Sequence, residues 1–393
     1  MKLRSVRSAK VHGRRVLVRA ELNVADRAGR TADDVRIRAA VPTLRLLLAR
    51  GARVIIVTHR GRPQGRVVQR LSTKPLARPL SRLLGVPVKT VNDCVGPIVE
   101  RAVMRLANGQ ALLLENVRFH PGEERNDRRF SRQLAKLADL FVLEAFGTAH
   151  RAHAAVVGVG QWVPSFAGLR FIEEVRILSR VLHQPRRPLV FVIGGAKISS
   201  KLNLIERLLG RADGLLLGGA LANTILQAQG LNIGQSLSEP KMVRAVRRLQ
   251  LTKRQLHVPV DLVVRQANGR RAVRAVGDVG RRESILDIGP DTVTLFTTVL
   301  RRARTIIWNG PMGRYEEPPF DRGTRAVARA VARSRAYTVV GGGETVDAVR
   351  SQGLARAIDF ISTGGGAMVE FLEGRRLPGV ELVRELDDDQ AND

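Results

Sequence analysis

The chain has 393 residues, more than the roughly 100–200 of a typical single domain, so its length favours two domains. Hydrophobic residues make up 44% of the chain and aromatic residues only 4%, a composition that fits an aliphatic globular protein and excludes a disordered chain. The formal net charge is +30, because nine lysines and 57 arginines outnumber the 36 acidic residues.

Two explanations of this charge stay open. One is a compositional bias towards arginine, such as a GC-rich genome produces. The other is a surface that binds RNA, DNA or another polyanion through its phosphates. The arginines form no discrete block and have no interleaved aromatic residues, so the pattern does not indicate sequence-specific recognition.

The cellular compartment follows from cysteine content and hydropathy. The single cysteine, Cys94, cannot form an intrachain disulfide, and no run of 18 or more apolar residues could span a bilayer. We therefore expect a cytoplasmic protein with no membrane insertion. The basic segment from Met1 to Arg15 leaves a short targeting leader as an alternative.

The first half of the chain alternates short β-branched runs with amphipathic stretches. The predicted strands are Arg15–Val18, Val54–Thr58, Val86–Val88, Ala111–Glu115 and Leu140–Leu143. The predicted helical stretches are Ile37–Arg50, Lys74–Leu84 and Phe130–Ala138. Strands that alternate with helices at this spacing predict a mostly parallel sheet with helices on both faces.

The second half repeats the scheme. Its predicted strands are Leu189–Ile193, Gly214–Leu217, Gln255–Pro259, Thr305–Trp308 and Tyr337–Val340. We therefore expect an α/β fold with two Rossmann-like parallel-sheet α/β/α domains joined by a hinge helix, which the helical period places between Ala167 and Arg187. The expected boundaries are residues 1–168 and 188–375 for the domains, 169–187 for the helix, and 376–393 for a C-terminal tail that can return to the first domain.

Residues that follow the strands carry the chemistry, because ligands of open α/β sheets bind beyond the carboxyl ends of the strands. In the first half these positions are rich in arginine and histidine, which suit a small dianion. In the second half they are rich in glycine, which lets backbone N–H groups approach phosphates at helix starts. The glycine-rich segments are Gly194–Lys197, Gly218–Ala220, Gly310–Gly313, Gly341–Glu344 and Gly364–Gly366.

Lys197 and Lys201 stand four residues apart after the strand Leu189–Ile193. This spacing predicts that they share one face of a helix and both reach a polyphosphate. No Gly-Lys dipeptide occurs, which excludes a P-loop, and no dinucleotide fingerprint follows a strand. Zinc-type ligand spacings are also missing from the sequence, which leaves hard-cation binding through a carboxylate such as Glu344.

Taken together, seven segments closely resemble those of the phosphoglycerate kinase family, and the similarity runs from about Val16 to Val380. These segments are Arg36–Ala40, His59–Pro63, Glu115–His120, Phe146–His153, Gly194–Lys197, Trp308–Gly313 and Ser362–Gly366. The resemblance implies reversible phosphoryl transfer between 1,3-bisphosphoglycerate and ADP, giving 3-phosphoglycerate and ATP. It also implies a triose-binding N-terminal domain, a C-terminal domain that binds ATP or ADP with Mg²⁺, hinge closure and a monomer.

Site residues are implied by position in these segments. The implied catalytic residues are Arg36, Lys197 and Gly343. The implied triose-binding residues are Glu21, Asn23, Arg36, His59, Arg62, Arg118 and Arg151. The implied nucleotide-binding residues are Lys201, Gly219, Asn309, Pro311, Glu316, Gly342, Gly343, Glu344 and Thr345, with Glu344 also the implied Mg²⁺ ligand.

Several positions depart from the family's usual residues. Glutamates 21, 144 and 344 and Ser200 stand where aspartate is usual, and arginines 60 and 314 stand where smaller or aliphatic residues are usual. A displacement of about 1 Å at such a site can cost of the order of 100-fold in rate. The alternative is therefore a catalytically weakened paralogue that acts as a nucleic-acid-binding or ribonucleoprotein component.

Overall fold

The computed structural model describes residues 1–24, 26–27, 30–31 and 35–385. The chain divides into two compact units. The first contains Met1–Ile177 together with the chain from Gly374 onward, and the second contains Leu178–Glu373. No helix within these described ranges is long and apolar enough to cross a membrane.

The first unit is built on a parallel sheet. Its strands are β1 (Arg15–Arg19), β2 (Asp26–Arg27), β3 (Arg30–Thr31), β4 (Arg53–Val57), β5 (Val88–Thr90), β6 (Ala111–Leu113), β7 (Leu140–Leu143) and β8 (Ser165–Ala167). Strands β2 and β3 pair only with each other, and the remaining six described strands form the sheet in the order β5-β6-β4-β1-β7-β8. Every pairing in that sheet is parallel.

The helices of this unit connect the strands as crossovers. They are α1 (Val35–Ala49), α2 (Ala77–Leu84), α3 (Pro97–Met104), α4 (Pro121–Glu124), α5 (Arg128–Ala135) and α6 (Leu169–His183), the last of which continues into the second unit. In both β1 and β4 every residue after the first is buried, so both faces of the sheet are covered there. Val16 and Val18 of β1 pack in one core with Ile37 and Leu44 of α1.

The second unit holds a second parallel sheet. Its strands are β9 (Leu189–Ile193), β10 (Gly214–Leu217), β11 (Leu256–His257), β12 (Asp261–Arg265), β13 (Arg271–Ala275), β14 (Ser284–Ile288), β15 (Thr305–Asn309), β16 (Tyr337–Gly341) and β17 (Phe360–Ile361). The parallel sheet has the order β11-β10-β9-β15-β16-β17. The two parallel sheets confirm the expected α/β fold.

The helices of the second unit follow these strands in turn. They are α7 (Leu202–Leu208), α8 (Ala220–Ala228), α9 (Val243–Val246), α10 (Pro290–Arg302), α11 (Arg322–Arg333), α12 (Gly343–Ser351) and α13 (Gly365–Leu372). Trp308 of β15 is fully buried and packs in one core with Phe296 of α10 and Val327 and Val331 of α11. A last helix, α14 (Pro378–Leu382), returns to the first unit, where Gly379 N donates to Ala149 O at 2.8 Å.

Strand order identifies where ligands can bind. In each parallel sheet the order of connection reverses beside the central strand, between β1 and β7 in the first unit and between β9 and β15 in the second. A crevice opens beyond the carboxyl ends of the strands at such a reversal. The arginine- and histidine-rich segments come after strands of the first sheet, and the glycine-rich segments come after strands of the second.

One predicted strand was wrongly placed, and one small sheet was not predicted. The strand predicted at Val86–Val88 instead begins at Val88, because Pro87 lacks the N–H that a sheet ladder needs. The antiparallel sheet β13-β12-β14 was not predicted. Its strand β13 alternates exposed and half-buried residues and carries Arg271 and Arg274, so it shows no apolar run.

Candidate active site

The predicted triose-binding residues Asn23, Arg36 and His59 meet beyond β1 and β4. Asn23 follows β1, and its Oδ1 accepts a hydrogen bond of 2.9 Å from the backbone N–H of Gly61. Arg36, the second residue of α1, donates through Nη1 to the carbonyl oxygen of Asn23. These bonds hold the loop after β1 against the loop after β4 and bring the Arg36 guanidinium to the sheet edge.

His59 is 3% exposed, and its Nδ1 lies 2.9 Å from Nη2 of Arg19. A guanidinium can only donate, so Nδ1 accepts and the ring proton sits on Nε2. Burial lowers the pKa of His59 well below 6.5, and the positive charges of Arg19, Arg118 and Arg36 lower it further. His59 is therefore a neutral hydrogen-bond donor at physiological pH.

Arg19 was not among the predicted site residues, although it contacts the predicted triose-binding residue His59. It is the last residue of β1, is fully buried, and also donates through Nη1 to Ala20 O at 2.9 Å. Burial lowers the pKa of Arg19, and the nearby Glu123 and Glu21 oppose that shift. Glu123 is likewise fully buried, accepts from Ala155 N at 2.8 Å, and lies 3.8 Å from His153 Nδ1. Arg19 and Glu123 are thus two buried groups of opposite charge that interact electrostatically.

Arg118 and Arg151 extend the basic surface. Arg118 is nearly buried, donates through Nη1 to Gly61 O at 2.9 Å, and has its Nε 3.3 Å from Glu124 Oε1. Arg62 and Arg151 are exposed, so a ligand that enters from solvent can reach their guanidinium groups. Burial, with the charges of nearby arginines, lowers the pKa values of His150 and His153 to about 4, so both are neutral near pH 7.

Two glutamates that depart from the family pattern have different surroundings. Glu21 is 7% exposed, and its Oε2 is buried without a hydrogen-bond partner among the described residues, which a ligand hydroxyl could satisfy. Glu144 accepts from Thr43 Oγ1 at 2.7 Å and from the N–H groups of Arg170 and Phe171 at 3.1 and 3.3 Å. Glu144 is thus bound to the N-terminus of α6, and burial raises its pKa to about 8.

Lys201 lies at the strand-order reversal of the second unit. Its Nζ donates to Gly194 O at 2.5 Å, beyond β9, and to Asn309 O at 3.3 Å, at the end of β15. Burial lowers the pKa of Lys201 to about 8, and the negative charge of Glu344 opposes this shift.

The shared helix face predicted for the two lysines is wrong. Helix α7 begins at Leu202, and Lys197 lies exposed in the loop before it. The loop forms its own turn, in which Ser200 Oγ donates to Lys197 O at 3.0 Å and Lys201 N donates to Ile198 O at 2.8 Å. Ile198 is fully buried and holds this turn against the unit, so Lys197 and Lys201 project separately.

The start of α12 presents backbone N–H groups to solvent. Gly342 precedes the helix with φ +95°, and Gly343 is its first residue. A Cβ added at Gly343 would meet no atom within 4 Å, so a ligand can approach the backbone closely there. Asn309 and Thr345 hold this helix start in place, because Asn309 Nδ2 donates to Gly341 O at 3.0 Å and Thr345 Oγ1 accepts from Gly310 N at 2.6 Å.

A cavity of about 440 Å³ opens beside this helix start. The predicted residues that line it are Gly219, Pro311, Glu316 and Glu344, together with Arg314. Gly219 has φ +70°, and a Cβ there would come within 2.6 Å of Gly195 N and 2.9 Å of Pro311 O, so no side chain fits at this meeting of three loops. Arg314 is half-exposed and pairs with Glu317 at 3.0 Å.

The apolar part of the cavity wall was not predicted from the sequence. It consists of Leu237, Leu262, Ile285 and Met312. Asp287 also lines the cavity; burial raises its pKa to about 7, while N–H groups of Gly323 and Ile288 donate to it at 2.7 and 2.9 Å. An apolar wall with a few polar groups is typical of a site for a small organic ligand such as a nucleoside.

Comparisons with known proteins agree with this arrangement. A sequence model described as phosphoglycerate kinase matches residues 6–375. This chain belongs to the phosphoglycerate kinase family. The phosphoglycerate kinase of Pelotomaculum thermopropionicum is 49% identical over 391 residues, covering 98% of this chain and 99% of that protein. The phosphoglycerate kinase of Thermomicrobium roseum is 48% identical over 390 residues, covering 98% of this chain and all of that protein.

Solved structures give the same assignment. The phosphoglycerate kinase of Pyrococcus horikoshii matches with a TM-score of 0.86 at 31% identity, covering 97% of this chain and 98% of that one. The phosphoglycerate kinase of Coxiella burnetii matches with a TM-score of 0.83 at 39% identity, covering 97% and 99%. Phosphoglycerate kinases are phosphotransferases, and the chain is therefore an enzyme of that class. The comparisons do not favour the alternative of a nucleic-acid-binding component.

Proposed function

We propose that this protein transfers a phosphoryl group reversibly between 1,3-bisphosphoglycerate and ADP, with 3-phosphoglycerate and ATP as products. One observation carries the proposal. At the strand-order reversal of the second unit, Lys201 donates to the carbonyl oxygen of Gly194, next to Gly195 on the wall of a cavity of about 440 Å³, and Glu344 in the first turn of α12 lines the same cavity. Cationic and N–H groups beside a partly apolar cavity suit the phosphates and base of a nucleotide.

The first unit supplies the triose site in this proposal. Asn23, Arg36, His59, Arg62, Arg118 and Arg151 bind the triose phosphate. The arginines pair with its phosphate and carboxyl oxygens, because guanidinium forks match such groups bidentately. His59, with its proton on Nε2, donates to an oxygen of the substrate, and the unsatisfied oxygen of Glu21 accepts from its hydroxyl.

The second unit supplies the nucleotide site. We assign nucleotide binding to Lys201, Gly219, Asn309, Pro311, Glu316, Gly342, Gly343, Glu344 and Thr345. Glu316 lies on the cavity wall, in reach of ribose hydroxyls. Asn309 and Thr345 act through the backbone, since both bind main-chain atoms that shape the start of α12.

Glu344 fits the expected Mg²⁺ ligand. Mg²⁺ in nucleotide sites is held by one or two carboxylates together with the substrate's phosphates. Glu344 is exposed, lines the cavity, and follows Gly343 in the first turn of α12. When bound, Mg²⁺ neutralises negative charge on the nucleotide phosphates.

The chemical step needs no covalent intermediate on the protein. A β-phosphate oxygen of ADP attacks the phosphorus of the acyl phosphate, and the bond from phosphorus to the carboxylate oxygen breaks. The protein's part is to position the groups and stabilise the charge that spreads over the transferring phosphoryl oxygens. We assign that part to Arg36, exposed Lys197 and the N–H of Gly343.

Direct transfer requires ligands bound to separate units to meet. We propose that α6 and its flanks, residues 169–187, act as the hinge for this motion, with residues 1–168 and 188–375 as the domains and 376–393 as the tail. Small-angle scattering should then record a smaller radius of gyration only when 3-phosphoglycerate and a nucleotide are both present. An unchanged radius with both ligands at saturation would contradict the hinge.

We also propose that the enzyme is a monomer in the cytoplasm and binds polyanions such as RNA only weakly. A chain with a single cysteine is typical of proteins in a reducing compartment. The dispersal of the arginines along the whole sequence favours general electrostatic attraction over a dedicated nucleic-acid surface.

The test of the proposed function is a coupled assay of ATP formation by the purified protein. Arg36→Ala should lower kcat by roughly 100- to 1000-fold, the usual cost of removing one group that stabilises transition-state charge. Arg38→Ala, on the exposed side of the same helix, is the matched control and should keep most of the activity. Wild-type activity no higher than that of Arg36→Ala would refute the proposal.

A further inference from the structure

A cluster of three side chains of the types that ligate metals lies in the first unit. It consists of Asp93 and Cys94, in the loop after β5, and His120, at the end of the short turn that follows β6. One potential ligand atom of each residue lies within 4.8 Å of those of the other two. None of the three belongs to the triose or nucleotide sites proposed above.

The local structure holds these side chains in place. Asp93 Oδ1 accepts from Cys94 N at 2.6 Å and lies 2.6 Å from His120 Nε2. The His120 ring stacks on Phe130, with centroids 5.1 Å apart and an interplanar angle of 25°. Glu115 N donates to the carbonyl oxygen of Asp93 at 3.2 Å, which holds the loop after β5 against the segment after β6.

The cluster has a buried side and an open side. Cys94 is 1% exposed, whereas the side chains of His120 and Asp93 are 32% and 50% exposed. An ion can therefore enter from solvent past the carboxylate and imidazole to reach the sulfur. Burial raises the pKa of the Cys94 thiol well above its usual value, and the negative charges of Asp93, Glu123 and Glu115 raise it further, so the thiol keeps its proton until a cation binds; the same negative charges attract that cation.

The donor set selects the type of ion. Mg²⁺ and Ca²⁺ prefer oxygen ligands, and a sulfur, a nitrogen and an oxygen together match the borderline-soft Zn²⁺. Three protein ligands leave the fourth tetrahedral position to a water molecule.

We propose that Asp93, Cys94 and His120 form a binding site for Zn²⁺. On binding, the Cys94 thiol loses its proton to solvent and the sulfur bonds to the metal. The His120 proton moves from Nε2 to Nδ1, and the hydrogen bond between His120 and Asp93 is replaced by bonds from both residues to the ion. The ion then links the loop after β5 to the segment after β6, two residues beyond Arg118, so its role is to stabilise the first unit.

The test uses the full-length protein freed of metal by a chelator. Zn²⁺ affinity is measured by competition with a chromophoric chelator, and Co²⁺ serves as a spectroscopic substitute that reports a thiolate ligand by charge-transfer absorption. We expect one Zn²⁺ per chain, a thiolate–cobalt band, and a higher thermal unfolding midpoint in the presence of Zn²⁺.

Variants separate this site from adventitious binding. Cys94→Ser should abolish the cobalt band and weaken Zn²⁺ binding by roughly 100-fold or more, since even changes behind the ligands cost 10–100-fold. His120→Asn should weaken it comparably, and it keeps the proposal testable if the buried serine disturbs folding. His12→Asn, at an exposed histidine outside the cluster, is the matched control and should bind as wild type. Failure of the wild type to bind Zn²⁺, or unchanged binding in His120→Asn, would overturn the proposal.

Discussion

Replacing Gly343 by alanine should separate nucleotide binding from folding. Gly343 does not have a positive φ, so alanine can adopt its backbone conformation, and the added Cβ would meet no protein atom within 4 Å. The free energy of unfolding should therefore stay the same or rise by up to about 1 kcal/mol, because alanine loses less conformational entropy than glycine. The same methyl group would occupy the space through which a phosphate oxygen reaches the N–H groups of α12.

The expected loss of affinity can be estimated. A hydrogen bond to a charged group contributes about 1.5–3 kcal/mol, and every 1.4 kcal/mol is a factor of ten in binding. Gly343→Ala should thus raise the Kd for ADP by roughly 10- to 100-fold, measured by titration calorimetry, without lowering the midpoint of thermal unfolding.

A second glycine provides the opposite control. Gly230 has φ +86° and also has open space around its added Cβ, but it does not line the nucleotide cavity. Gly230→Ala should cost about 1–2 kcal/mol of stability, since a side chain is strained at positive φ, and leave the Kd for ADP unchanged. If Gly343→Ala folds normally and binds ADP as tightly as wild type, the start of α12 does not face the phosphates.

Three further predictions concern carboxylates and charge. Glu344→Asp should keep Mg²⁺-dependent activity in the coupled assay, whereas Glu344→Ala should nearly abolish it; an inactive aspartate variant would contradict the assignment of Glu344 as a Mg²⁺ ligand. Because burial raises the pKa of Glu144 to about 8, the folded protein holds a proton there that the unfolded chain releases above about pH 4.5. The free energy of unfolding should therefore fall as pH rises from about 5 to 8, by up to roughly 1.4 kcal/mol per pH unit from this group, and Glu144→Gln should remove that part of the slope in chemical denaturation. Binding to RNA and DNA should disappear by about 0.15 M salt, and binding that survives there in a filter assay would favour a selected nucleic-acid partner.

Much of the fold could be predicted because its central strands are continuous apolar runs. The segments that form β1, β4, β9 and β15 are short, contain β-branched residues and recur at regular intervals along the chain. The structure has strands at those places. Strand β13 could not be predicted in this way, since two of its five residues are arginines and it has no apolar run; it forms by pairing with the apolar strand β12.

Residues of the candidate site could be predicted only where a side chain of a ligand-binding type comes directly after a predicted strand. Arg19 was not predicted as a site residue, because nothing in the sequence distinguishes one buried arginine among 57. Its role becomes visible only in the structure, where Arg19 at the end of β1 contacts His59. The spacing of Lys197 and Lys201 indicated a helix, but the buried Ile198 and the hydrogen bonds of the turn keep that loop out of the helix. A helical period read from the local sequence cannot show that tertiary contacts hold a segment in another conformation.

The buried contact between Arg19 and His59 has a consequence for how the enzyme responds to acidification of its surroundings. His150 and His153, with pKa values of about 4, stay uncharged down to about pH 5, and burial holds the pKa of His59 well below 6.5, so the histidines of the triose pocket are neutral near pH 7. Lys201, with a pKa near 8, changes its charge just above that range. Among the residues that line the two proposed ligand sites, those with a pKa near neutrality, Asp287 and Lys201, therefore lie on the nucleotide side.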